Sequence, residues 1–240
     1  MSKQSETTDQ YNFAGPGEYK ILHGDAPPYE PDKSINITGT LGAPAQFLLG
    51  RGPQDDTKCH LLVDNDNGSL TLTINDMATH GKHTIKGSLT PDVNLAAFQI
   101  NTEKRWGVRE FTKFCKMARY YFADEAEVNN LISSLQKFEG TVQKIYKDHN
   151  DNSGDSLIHL ETKVEGVKME RKFRVKVPVY KGYAPQVFTV EIGFDTKSTV
   201  VDLFLVSDEL YSLLPKLREE IMSMEIAKFA EYNFARVVVS

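Results

Sequence analysis

Between Phe173 and Phe194 the chain follows a period of two. Phe173, Val175, Val177 and Val179 alternate with polar residues, and Phe188, Val190, Ile192 and Phe194 repeat the pattern after the short turn "YKGYAP". Successive side chains of a strand point to opposite faces, so such runs predict strands with one buried and one wet face. Ile158, Leu160, Thr162 and Val164 before them, and "VVDLFLV" (200–206) after them, extend the block to four strands. Turns as short as "EGVK" and "YKGYAP" join antiparallel neighbours, which predicts a meander. Ser207 then caps a helix to about Phe229 whose apolar stripe is Leu210, Leu214, Leu217, Ile221 and Met224, with a kink expected at Pro215. "ARVVVS" returns as an edge strand.

The first half is patterned less strictly. "CHLLVD" (59–64) and "SLTLTI" (69–74) flank Asn67-Gly68, a type I′ hairpin signal because both residues tolerate positive φ. "HTIKGSLT" (83–90) and "LAAFQIN" (95–101) predict two further strands. "ADEAEVNNLISSLQKFEGTVQKIYKDH" (123–149) predicts a long helix, opened by a capping box of Asp124 and Glu127 and weakened at Gly140. Val128, Leu131, Leu135, Phe138, Val142 and Ile145 recur at gaps of three and four, a seam that a neighbouring helix or a second subunit would cover. The expected fold class is α+β, with two antiparallel β blocks joined and covered by three helices. Residues 1–34, rich in Pro and Gly, are expected to be a flexible N-terminal arm, and "GRGPQDDTK" (50–58) an exposed loop. Residues 35–240 form a single domain in this reading, divisible into sub-blocks 35–122 and 123–240.

Several chemistries lack their motifs. There is no Walker loop, dinucleotide fingerprint, nucleophile elbow or kinase set, and "SLQK" (134–137) stands without the other motifs of its enzyme class. Cys59, His60, His80 and His83 assemble poorly as a zinc site, since adjacent strand residues point apart. "DHNDNSGD" (148–155) breaks the helix but fails as a calcium loop: counted from Asp148, Ser153 stands where glycine is needed and His159 where glutamate is. Asp55-Asp56 and Asp64/Asp66 read as solvated turn residues. No cofactor, metal or catalytic residue is expected. Two cysteines, Cys59 and Cys115, in apolar surroundings predict buried thiols in a reducing compartment. The N-terminus has no apolar leader segment, and no apolar run approaches the roughly 18 residues of a membrane span. A cytoplasmic protein with no membrane partner is expected.

Charge supplies the functional hypothesis. The net charge is −5, yet residues 101–122 hold six basic residues against two acidic ones. On a helix, Val108, Phe111, Cys115, Ala118 and Phe122 make one face, while Arg109, Lys113 and Lys116 fall on the other with Tyr120 next in line. Lys104, Arg105 and Trp106 stand just before it. Residues 163–183 hold seven basic residues against two acidic ones, and Lys172, Arg174 and Lys176 share the strand face opposite Phe173, Val175 and Val177. Joined on one side of the fold, these nine residues would contact phosphates and stack bases of DNA or RNA. The competing explanation is two ordinary solvated faces. A different class of function is a protein–protein module, either a virion component or an inhibitor of a host protein, that acts through the heptad helix, as a homo-oligomer, or through the acidic surface.

Trp106, the Glu110-Phe111 and Phe114 helix, and "PVYKG" (Pro178-Val179-Tyr180-Lys181-Gly182) at the end of a strand resemble the YfdQ-like family of phage and prophage proteins. A helical middle separates these motifs, and a further strand and closing helix follow. The resemblance spans residues 59–225. It implies a phage or prophage origin and expression inside a bacterial host cell. That family has no established catalytic activity, so no site residues carry over.

Overall fold

The strands gather into two sheets. The computed structural model describes residues 32–51, 56–151, 169–195, 201–230 and 237–239, and the side chains of all of these except 56 and 145–151. In chain order the elements are β1 (Asn36–Thr40), α1 (Ala43–Leu49), β2 (Cys59–Asp64), β3 (Ser69–Ile74), β4 (His83–Ser88) and α2 (Val93–Phe98). There follow β5 (Trp106–Gly107), α3 (Val108–Met117), α4 (Glu125–Asp151), β6 (Lys172–Pro178), β7 (Pro185–Asp195), β8 (Asp202–Val206), α5 (Asp208–Ala230) and β9 (Val237–Val239). Lys33 to Ser240 belong to one compact unit. Most of the expected N-terminal arm and the expected strand at 158–164 lie outside the described residues.

The class is α+β, as expected, but the details differ. The second block is antiparallel throughout, in the order β5-β8-β7-β6. The first is mixed: its order is β1-β4-β3-β2-β9, with β1 parallel to β4 and β9 parallel to β2. Antiparallel pairing holds only where hairpins join neighbours in sequence, and both outer strands arrive from far along the chain. Five helices are described where three were expected. The stretch 95–101 is chiefly α2, because the Asp92 carboxylate accepts from the Asn94 N–H at 2.8 Å and caps a helix that closes at Gln99 in the left-handed region. The hairpin between β2 and β3 uses four connecting residues. Only Gly68 of the Asn67-Gly68 pair has positive φ, and Asp64 holds the turn by accepting from the Asn67 N–H and side-chain amide. Those bonds, the side-chain one first, hold the Asp64 carboxyl below its ordinary range.

Two helix ends show how side chains close the frame. The Ser207 hydroxyl donates to the Thr189 carbonyl at 2.6 Å and accepts from the Leu210 N–H at 3.1 Å, so one side chain caps α5 and ties it to β7. At α4, Asp124 accepts from the Ala126 N–H at 2.7 Å. Glu127 does not complete the capping box. It reaches across to β6, where it accepts from the Arg174 backbone N–H at 2.8 Å. The helix itself continues through Asp151, past the expected break at Asp148. On α5 the buried set is Leu210, Leu217, Ile221, Met222, Glu225 and Phe229, whereas Met224 is 46% exposed and not part of the stripe.

Of the two coverings the heptad seam allows, the structure shows the one inside the chain, and the reading as an oligomer seam is corrected for the described residues. Val128, Leu131, Leu135, Phe138 and Val142 are buried within the chain, with Phe138 stacked on Phe194 at 5.1 Å, so these residues are not open to a second copy. Ile145 lies in α4 beyond the described side chains. Gly140 sits on the exposed side, where an added Cβ would meet nothing within 4 Å. Gly140→Ala should therefore stabilise the fold by about 1 kcal/mol, read as a higher midpoint in urea denaturation with an unchanged slope.

Candidate nucleic-acid interface

The exposed cations of α3 stand where they do because its apolar side is committed. Phe111 is fully buried, 6.1 Å from the ring of Phe173 on β6, and Phe122 lies 5.3 Å from the same ring. Phe98 of α2 meets Phe114 edge-on at 4.9 Å. Cys115 is buried in the same layer, and desolvation pushes its thiol up to about 12, so at neutral pH it is a protonated core residue rather than a nucleophile. Arg109, Lys113 and Lys116 are consequently turned outward, as the helical period predicts.

The nine expected contact residues do not form one surface. Phe173, Val175 and Val177 face α3, so Lys172, Arg174 and Lys176 occupy the opposite face of the four-stranded sheet. The two basic rows look away from each other. Four of the cations are also paired: Lys104 Nζ with Glu110 at 3.0 Å, Arg105 Nε with Asp195 at 3.4 Å, Arg174 Nε with Glu127 at 3.3 Å, and Lys172 with Glu191. Lys104 and Arg105 also cover the rings of Trp106 and Phe204, each at 4.8 Å. Trp106 is 7% exposed, packed at 5.1 Å on Phe114 and 5.7 Å on Phe111, so it anchors α3 and cannot stack a base. No carboxylate among the described residues pairs with Arg109, Lys113, Lys116 or Lys176.

Arg109, Lys113 and Lys116 line a groove of about 580 Å³ between α3 and α4, with Glu110, Thr112, Gln136 and Glu139 as its other walls. Gln136 and Glu139 are absent from the sequence-based set because each follows a seam residue, a position whose neighbour only packing reveals. Beyond the groove, Met117 is 76% and Tyr120 88% exposed. Tyr120, next in line on the helical row by sequence, instead lies in the 3₁₀ turn Arg119–Tyr121 after α3 has ended.

Three of the four residues weighed for a zinc site are placed apart from one another. Cys59 is buried; His60, on the other face of β2, pairs with Asp76 at 3.1 Å; His83 Nδ1 accepts from the Ile35 N–H at 3.2 Å. Among the described residues no three His, Cys, Asp or Glu side chains converge as a metal would need. Nor is any described helix long and apolar enough to cross a membrane. Glu225, 3% exposed, accepts from the Tyr183 hydroxyl at 3.1 Å and Lys228 Nζ at 2.8 Å; burial first, then the Glu225 charge, pushes the Tyr183 phenol upward, so it stays protonated. No family model, no curated protein and no solved structure matches the chain.

Glu127 carries the clearest local consequence. It satisfies a backbone donor on the outer strand and neutralises Arg174 at once. Glu127→Ala should cost about 1–2 kcal/mol in chemical denaturation, because a charged acceptor is lost from an otherwise unpaired N–H.

Proposed function

We propose that the chain is a non-enzymatic accessory protein that binds nucleic acid through the outward row of α3: Arg109, Lys113 and Lys116. The observation that carries this reading is the absence of any carboxylate partner for these three among the described residues, while four of the other expected cations are neutralised. Only unneutralised cations release counterions from a phosphate backbone, and that release drives sequence-independent binding. Lys104, Arg105, Trp106, Lys172, Arg174 and Lys176 drop out of the contact set, the first five through pairing or burial and Lys176 through facing the other way. A bacterial cytoplasm, with phage or prophage origin, is the proposed setting; the two buried thiols and the YfdQ-like resemblance support it.

Fluorescence anisotropy with labelled DNA across a salt series tests the reading. Three contacts predict a slope of log K against log salt of about −2 to −3. Replacing Lys113 and Lys116 by alanine should flatten that slope by between about one and two. Glu139→Gln, which removes the carboxylate across the groove, should tighten binding. No binding at low salt removes the proposal.

The outer edge of the five-stranded sheet favours a second reading, a protein–protein module. β9 pairs with β2 along one side only among the described strands, and Val237, Val238 and Val239 are 41%, 50% and 64% exposed. A row of unpaired main-chain groups flanked by valines is a template for strand addition by a second copy or another protein. Self-association by this route predicts a light-scattering mass above the monomer that Val238→Lys returns to the monomer. A monomer at the highest attainable concentration rules out the homo-oligomer.

A further inference from the structure

Tyr120 is an exposed aromatic that neither the fold nor a phosphate-binding row accounts for. An aromatic side chain on a monomer normally contributes its area to packing, and this one is 88% exposed. Its backbone is nonetheless held firmly. Ala118 and Phe122 on either side are buried, and Phe122 forms a bridge with Val175 of β6. The N–H groups of Ala118, Tyr121, Phe122 and Ala123 are all bonded to carbonyls, at 2.8, 2.9, 3.2 and 3.0 Å. Arg119–Tyr121 is a single 3₁₀ turn between these anchors, so Tyr120 is presented outward from a fixed point, its ring edge-on to Tyr121 at 5.5 Å. With the backbone already fixed, a ligand that covers the ring has only the side-chain rotamer left to order.

Position gives the ring its meaning. A helix rises about 1.5 Å per residue, so Arg109 and Lys113 are roughly 6 Å apart along α3 and Lys116 roughly 4.5 Å further on. Tyr120 comes four residues after Lys116, in the 3₁₀ turn Arg119–Tyr121 that follows the end of α3 at Met117. A strand that follows the three cations toward the C-terminal end of α3 runs toward the turn that presents Tyr120. In a duplex a base there is stacked and paired inside the helix, whereas in a single strand its face is available, and any base can stack on an aromatic ring.

We infer that Tyr120 is a base-stacking platform and that the ligand is single-stranded nucleic acid, an inference that rests on the phosphate-binding role of α3. Anisotropy titrations of the full chain with an oligo-dT strand, the same strand carrying an abasic site, and a duplex of equal length provide the test. The single strand should bind more tightly than the duplex. Tyr120→Ala should weaken single-strand binding about tenfold without changing its salt slope or the duplex affinity, and Tyr120→Phe should restore it. With the abasic strand the Tyr120→Ala loss should shrink. Tyr120 is too exposed for its loss to unfold the chain, and an unchanged denaturation midpoint verifies this. If Tyr120→Ala has no effect while Lys113→Ala still weakens binding, the platform falls and the phosphate-binding role survives. An equal loss on duplex also overturns the platform. Binding of neither probe overturns both.

Discussion

Phe173 determines where everything functional can lie. Its ring meets Phe111 from one end of the α3 segment and Phe122 from the other, so the helix is pinned to the apolar face of the four-stranded sheet. Burying an aromatic of 150–250 Å² is worth roughly 4–6 kcal/mol before ordering costs. Exposed salt bridges are each worth about 0–1 kcal/mol, and those among the described residues do not compete with that. Once Phe111 and Phe173 face each other, the outward position of Lys113 and the far-side position of Arg174 follow from the periods 3.6 and 2. A single cationic platform was ruled out by the same aromatics that make the helix stable.

The acidic side chains explain the rest of the electrostatics. Several of them satisfy backbone as well as charge. Glu127 accepts from the Arg174 N–H on the outer edge of β6, and Glu209 from the Thr189 N–H at 2.6 Å, where β7 continues past β8. Glu110 takes Lys104 with one oxygen and the Gly107 N–H with the other, which opens α3 without a side-chain cap at Gly107. Carboxylates placed this way are structural, and the cations beside them are neutralised incidentally. Arg109, Lys113 and Lys116 escape because their surface borders a groove rather than a strand edge.

Legibility followed the range of the interactions. The strands at 173–179 and 188–194, the Ser207 cap and the long helix are stated by local period or local chemistry, and the structure has them. The 95–101 stretch failed because a four-residue apolar run, Leu95 to Phe98, fits either period, and Asp92, the cap that decides, lay just outside the window. The hairpin was legible but its turn was not: Asp64 closes a four-residue connection, which the Asn-Gly rule does not anticipate. The seam was legible as apolar and illegible as to its partner. Pairing was the least accessible, since Arg174 lies 47 residues from Glu127 and Arg105 lies 90 from Asp195. A count of basic residues along the chain cannot subtract carboxylates that only folding delivers.

That subtraction also reconciles an acidic chain with a polyanionic ligand. The net charge of −5 is spread over the whole surface, and at physiological salt a charge is felt over only about 8 Å. The α3 row extends roughly 10 Å along its axis, comparable with that screening length. A phosphate docked on Lys113 therefore senses Arg109, Lys116 and Glu139 and little of the remote acidic surface. Lowering the salt lengthens the reach of every charge, attractive and repulsive alike, so remote carboxylates begin to oppose the row that salt had isolated. The sign of the interaction is set by the few side chains within one screening length, and on α3 the three cations face Glu139 and a Glu110 already engaged by Lys104 and Gly107.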